Sequence, residues 1–315
     1  MMNTMMNTAQ KLETPSANDS YALITEGIRS EAARLLNSGT VAAVVGYRAG
    51  RRPGTAQPVI VTAAEQTKEL IFSPACLNNL ALYLTRSKPE VARQGRLAVV
   101  AKGCDLRAIA GLVGESQLKR EDLVVIGVAC PGVADRNGYG DEFSAEMLAA
   151  KCRSCQAHSP EGADVVVGES IEPPATSAVT DEVARLESLP AAERWAFWKE
   201  QFARCTRCYA CRQICPFCYC EECLCDRNRP QAVESTPRPA GNMAWHIVRA
   251  MHLAGRCIGC AECERVCPMG IPFHLLNRKM AKELKELYGH QAGFVPKEKG
   301  PLNDYREDDD QSFIK

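Results

Sequence analysis

Cys205-Thr206-Arg207-Cys208-Tyr209-Ala210-Cys211-Arg212-Gln213-Ile214-Cys215-Pro216 decides how the chain is read, because its spacing returns as Cys257-Ile258-Gly259-Cys260-Ala261-Glu262-Cys263-Glu264-Arg265-Val266-Cys267-Pro268. Both runs are C-x2-C-x2-C-x3-C-P. In that pattern three closely spaced thiolates hold three corners of a [4Fe–4S] cube, and the fourth Cys serves the other cube. The spacing assigns Cys205, Cys208, Cys211 and Cys267 to one cluster, and Cys257, Cys260, Cys263 and Cys215 to a second. Zinc or a disulfide framework is the competing reading. Structural zinc, however, is usually held by C-x2-C pairs rather than by two full four-Cys runs.

Helical periodicity surrounds both runs. Residues 181–204 predict two helical pieces broken at Pro190, with Trp195, Trp198 and Phe202 on one apolar face that would shield a cluster. Met243, Ile247, Ala250 and Ala254 share another face, and Gly255 ends that helix before Cys257. Residues 275–288 predict a third helix, carrying Leu276, Met280, Leu284 and Leu287. Helices around each run predict an all-α dicluster ferredoxin-like domain over residues 191–290. His252-Leu253-Ala254-Gly255-Arg256-Cys257 and Cys267-Pro268-Met269-Gly270-Ile271-Pro272 resemble ferredoxin segments of anaerobic respiratory and heterodisulfide-reductase-type electron-transfer subunits. Between the runs, Cys218, Cys220, Cys223 and Cys225 are thiols beyond what two clusters need. They could hold an additional metal centre (a further cluster or zinc), replace ligands of the main clusters, or form a redox-labile loop.

The N-terminal half reads differently. Apolar residues at helical spacing over 21–37 precede Gly39, and Val41–Val45, Val59–Thr62, Glu69–Phe72, Leu97–Ala101 and Leu123–Ala129 are strand candidates. Ser73-Pro74 predicts a helix over Cys76–Leu84, with Cys76 as a thiol buried on it, and a further helix starts near Asp105. Alternating strands and helices predict an α/β domain with a mostly parallel sheet over 21–170. Cys104 and Cys130 follow the two strongest strands, at the sheet edge where open α/β sheets bind ligands. Cys152 and Cys155 form a C-x2-C pair. These four thiols could converge on a third cluster, or Cys104 and Cys130 could be small buried apolar residues.

Val99-Val100-Ala101-Lys102-Gly103-Cys104-Asp105, Val125-Ile126-Gly127-Val128-Ala129-Cys130, Lys151-Cys152-Arg153-Ser154-Cys155 and Ala163-Asp164-Val165-Val166-Val167-Gly168 resemble, in order and approximate spacing, the β-subunit family of the deazaflavin (F420) hydrogenases and dehydrogenases. The resemblance runs from about residue 22 to 170. It implies that Cys104, Cys130, Cys152 and Cys155 hold a [4Fe–4S] cluster beside a flavin, FAD. Ser73-Pro74-Ala75-Cys76-Leu77-Asn78 stands where the family has a Gly-Ser-rich loop, and a linker follows where the family has a longer second half.

Composition bounds the remainder. The 315 residues suffice for two domains, net charge is zero, and no basic stripe points to nucleic acid. No run of about 18 apolar residues predicts a membrane span. Residues 1–20 are polar and read as a disordered tail rather than a secretory signal. The 17 cysteines are therefore expected as thiolate ligands in a reducing cytoplasm. Residues 171–190, with Pro173-Pro174, read as a linker, and 291–315 as an extended acidic tail. The five His are scattered and expected to be packing or surface residues. No general base or nucleophile constellation stands out. The expected function is an iron–sulfur electron-transfer subunit of an anaerobic multi-subunit redox complex of hydrogenase, formate dehydrogenase or heterodisulfide-reductase type, with other redox subunits as partners. The alternative is a flavin-containing catalytic subunit acting on a deazaflavin or nicotinamide coenzyme.

Overall fold

Buried, β-branched runs build the sheet of the N-terminal half. The computed structural model describes residues 17–85, 89–92, 94–135, 143–153, 155–169, 181–234 and 236–295, with isolated positions 300, 301, 307 and 312. The N-terminal tail expected over 1–20 lies outside the described residues up to residue 16. So do residues 171–180 of the expected linker and most of the expected acidic tail after residue 295.

Helix α1 (Ala17–Asn37) leads into strands β1 (Ala43–Ala49) and β2 (Ala56–Val61). The one-turn helix α2 (Pro89–Ala92) precedes β3 (Leu97–Ala101), α3 (Gly103–Gly114) and β4 (Leu123–Val128). After α4 (Ala150–Arg153), β5 (Val165–Val167) completes a sheet ordered β2-β1-β3-β4-β5. Only β1 and β2 pair antiparallel, with Val45 opposite Ile60; β1-β3, β3-β4 and β4-β5 are parallel. Strands β3 and β4 are buried throughout, as central parallel strands covered on both faces should be.

The later part of the chain is helical: α5 (Glu182–Ser188), α6 (Ala191–Ala203), α7 (Ala210–Gln213), α8 (Pro239–His252), α9 (Glu262–Arg265) and α10 (Phe273–Tyr288). One contiguous apolar core runs from the sheet into these helices, including Val99 and Ile126 as well as Phe202, Phe217, Ile258 and Phe273. Phe217 packs so tightly on α3 that a Cβ at Gly111 would lie 2.9 Å from its ring. Beside it, Arg256 Nε donates to Glu115 Oε1 at 2.5 Å, and Tyr219 Oη donates to Glu115 Oε2 at 2.7 Å.

Three expected elements come out differently. Glu69–Phe72 is no strand; it makes only a bridge between Leu70 and Arg48. Its backbone groups are taken by α1 side chains instead. Arg29 Nε donates to the Leu70 carbonyl (2.8 Å), and Thr25 Oγ1 accepts from the Phe72 N–H (2.9 Å). Cys76–Leu84 is a turn followed by a short 3-10 segment, Leu80–Leu84, so Cys76 is buried but not on a helix. There the Ala81 N–H goes to Asn79 Oδ1 (3.0 Å) and the Leu80 N–H to Asp105 Oδ1 (2.6 Å), bonds that compete with a helix. Third, the inward face of α8 is Asn242, Trp245, His246 and Arg249 with Ala250, whereas Ile247 is 40% exposed. Likewise Phe202 is buried, but Trp195 is 57% exposed and Leu287 faces solvent.

Asp105 joins the sheet edge to its covering loop. Fully buried, it accepts the Leu80 and Lys102 N–H groups and pairs with Lys102 Nζ at 2.9 Å. Asp105→Ala should cost about 3–5 kcal/mol, because it leaves the Lys102 ammonium buried without its partner. Replacing both together, Lys102→Met with Asp105→Leu, should cost less, since no charge is then stranded; urea unfolding midpoints measure both.

Candidate functional site

The two Cys runs repeat each other in backbone as well as in spacing. The second residue after each opening Cys is left-handed, Arg207 at φ 55° and Gly259 at φ 72°. So is the fourth, Tyr209 at φ 61° and Ala261 at φ 53°. Tyr209 then starts α7 and Ala261 starts α9, and the two one-turn helices pack together. L-residues with a side chain adopt this conformation only at a cost, so its recurrence at matched positions marks a geometry the surroundings enforce. Its product is the same in both runs. The Arg207 N–H donates to Cys205 Sγ at 3.4 Å, and the Gly259 N–H points at the Cys257 sulfur.

Each run completes the other's thiol set. Cys205, Cys208, Cys211 and Cys267 line one small cavity beside Trp245 and His246. Cys215, Cys257, Cys260 and Cys263 line a second. The Ile271 N–H donates to Cys267 Sγ at 3.4 Å. Burial pushes the thiols of Cys205, Cys211, Cys257 and Cys263 above their ordinary range, and that of Cys260 up to about 12. Among the described residues, no three His, Cys, Asp or Glu side chains converge tightly enough to hold a single metal ion.

Cys104, Cys130, Cys152 and Cys155 face a third, larger cavity of about 510 Å³ at the carboxyl edge of the sheet. Cys104 sits in the first turn of α3, directly after β3, and Cys130 follows β4. Close packing positions the loop that carries Cys155: a Cβ on Gly103 would lie 1.8 Å from the Ala157 carbonyl. His158 accepts the Cys130 N–H on its own carbonyl (3.0 Å), and its Nδ1 lies 2.8 Å from the Cys130 carbonyl. Burial raises the thiols of Cys104 and Cys152, and takes Cys130 to about 12. The cavity wall also carries Lys102, Arg107, Lys151, Arg265 and Arg278, and it reaches Cys260 of the second set.

The Cys218–Cys225 loop is not one cluster of four. Cys218, a free thiol, interacts with the Cys215 thiol and lies 3.7 Å from an Arg249 nitrogen, so it turns toward the second set. Cys223 and Cys225 are free thiols that interact with each other, Cys225 fully buried. Cys220 is exposed.

Several polar residues of the site are missing from the expectations above. Lys151 Nζ donates to the Cys260 carbonyl (2.9 Å) and to Glu262 Oε1 (3.1 Å), and Glu262 is also held by Arg265. Burial opposes the Glu262 charge, but Lys151 and Arg265 keep its carboxyl below the usual range. Arg249 donates to Cys211 Sγ at 3.2 Å. Position within a Cys motif could have flagged Lys151, Glu262 and Arg265; nothing local could have flagged Arg249.

The left-handed positions give a direct test. Gly259→Ala should cost about 1–2 kcal/mol and Ala261→Gly should restore about 1 kcal/mol, since the strain is in the backbone. A Cβ on Gly259 meets nothing within 4 Å, so urea midpoints of the two variants report the conformation alone.

No known family profile matches the chain. A stretch of 107 residues, 34% of the chain, is 32% identical to the F420-dependent formate dehydrogenase subunit beta of Methanocaldococcus jannaschii, and it spans 27% of that relative, well under two thirds of its length. An alignment of 349 positions is 23% identical to the F420-dependent formate dehydrogenase 1 subunit beta of Methanococcus maripaludis, covering 79% of the chain and 87% of the relative. In its aligned stretches the chain, with its mostly parallel sheet and a thiol-lined cavity at the sheet's carboxyl edge, is thus similar to β subunits of F420-dependent formate dehydrogenases.

Proposed function

We propose that the chain is an iron–sulfur electron relay within a multi-subunit redox complex, its helical part acting as a dicluster ferredoxin-like module. The observation that carries this reading is the matched pair of left-handed Cys runs, each lending its fourth thiol to the cavity lined by the other's first three. The donor sets fit [4Fe–4S] groups: four thiols at each cavity, all but Cys208 at least partly buried, and backbone N–H groups aimed at sulfur. The third set, Cys104, Cys130, Cys152 and Cys155, fits in the same way, with the Ala157 N–H on Cys155 Sγ at 3.3 Å. When bound, such clusters would each carry one electron at a time.

The protein's part is spacing and electrostatics. Cys260 lines both the second and third cavities, so these two sites would be neighbours in the relay. Lys151 fixes that junction, holding the Cys260 carbonyl from the residue next to Cys152. The Cys218–Cys225 loop could take a further metal only by rearranging, since Cys218 and the Cys223–Cys225 pair face different ways. Both relatives are named as subunits, which supports partner redox subunits for this chain too. No helix among the described residues is long and apolar enough to cross a membrane.

A second reading has its own observation. The 510 Å³ cavity is in the range of cofactor pockets, and its Lys and Arg residues suit an anionic redox coenzyme. FAD beside the third cluster would make the chain a catalytic subunit acting on a deazaflavin or nicotinamide coenzyme.

Iron and acid-labile sulfide per chain on anaerobically purified protein test the relay. At four irons per cube, about 12 iron atoms are expected, about 8 would remove the third cluster, and a protein without iron would sink the reading. Flavin near one per chain in the denatured extract would select the catalytic reading. The Cys215→Ser and Cys267→Ser variants should each lose about four irons from the set completed by that residue.

A further inference from the structure

We propose that Arg249 is a positioning residue that sets the reduction potentials of both cluster sites in the helical part, holding them above what their thiolates alone would give. The proposal rests on the iron–sulfur reading above.

Arg249 lies between the two thiol sets. One terminal nitrogen is 3.2 Å from Cys211 Sγ of the first set; the other is 3.3 Å from the Cys211 carbonyl and 3.7 Å from Cys218 Sγ, a free thiol beside Cys215 of the second set, whose cavity Arg249 also lines. The side chain is 2% exposed, with its guanidinium 4.6 Å from the Trp245 ring and 4.8 Å from that of Phe273. Water cannot screen a charge so placed, and its field on nearby sulfur is several-fold stronger than in solvent.

The decisive feature is the lack of a carboxylate. Arg256 is matched by Glu115, Lys151 and Arg265 by Glu262, Lys102 by Asp105. Among the described residues no carboxylate lies within ion-pair distance of Arg249, and its side-chain hydrogen bonds go to Cys211 and Cys218. Among the described residues its Nε has no hydrogen-bond partner. A buried cation without a counter-anion is strongly destabilising. The anions it faces are thiolates, so its counter-charge is the ligated clusters themselves. Adding one electron to either cluster adds negative charge beside this cation, which favours the reduced state. Cys211 is touched directly and the second set through Cys218, so the first cluster should feel Arg249 more.

The test is an EPR-monitored redox titration of the full chain, purified anaerobically, with iron and sulfide counted on each sample. In Arg249→Gln the first cluster should be at least tenfold harder to reduce, which for a one-electron couple is 59 mV. The second should fall less, and the cluster at Cys104, Cys130, Cys152 and Cys155 should not move. Arg249→Lys keeps the charge and should fall short of the Gln shift. Unchanged potentials at full iron content would overturn the proposal, as would an equal shift at all three sites. Loss of iron in both variants would also overturn it, showing a structural role only. A wild-type protein without iron would instead remove the relay reading itself.

Discussion

A buried carboxylate, Glu262, ties the two halves of the molecule together. At 1% exposure it can stay ionised only because Lys151 and Arg265 surround it, and Lys151 comes from the sheet-edge segment that carries Cys152. Breaking one partner of such a group strands the others in a dry environment. The relative position of the thiol-lined cavities is therefore tied to an electrostatic requirement. Glu115 repeats the device on the other side of the contact, where Arg256 and Tyr219 reach it from the Cys-rich part.

Much of the α/β part was legible because its strands advertise themselves. Leu97–Ala101 and Leu123–Val128 are short apolar runs buried on both faces, and few other structures accommodate such runs. Glu69–Phe72 looked similar but failed, since its backbone partners are Arg29 and Thr25 of α1, forty-odd residues away in sequence. Cys76–Leu84 failed as a helix for a related reason: Asp105 claims a backbone N–H that the helix would need. Long-range side-chain bonds to backbone leave no periodic trace.

The site was legible in one respect and hidden in another. Cys spacing named sets that the fold brings to common cavities, because fixed spacing along a tight loop constrains where sulfur atoms can stand. Spacing did not reveal the charges behind them. On α8, Asn242, Trp245, His246 and Arg249 fall at i, i+3, i+4 and i+7, a proper helical stripe, yet three of the four are polar. A search for apolar periodicity selects Met243 and Ile247 instead, and Ile247 faces solvent. A helix whose inner face serves sulfur rather than hydrocarbon is invisible to hydropathy.

The exchange of fourth cysteines between the runs bears on modularity. Cys215 stands with residues more than forty positions downstream, and Cys267 with residues more than fifty positions upstream. Neither run can be excised, transplanted or shuffled as a self-sufficient cassette, since removing either leaves both cavities short of sulfur. Inheritance and engineering must therefore treat residues 205–267 as one indivisible unit, including the intervening α8, whatever sheet it is joined to.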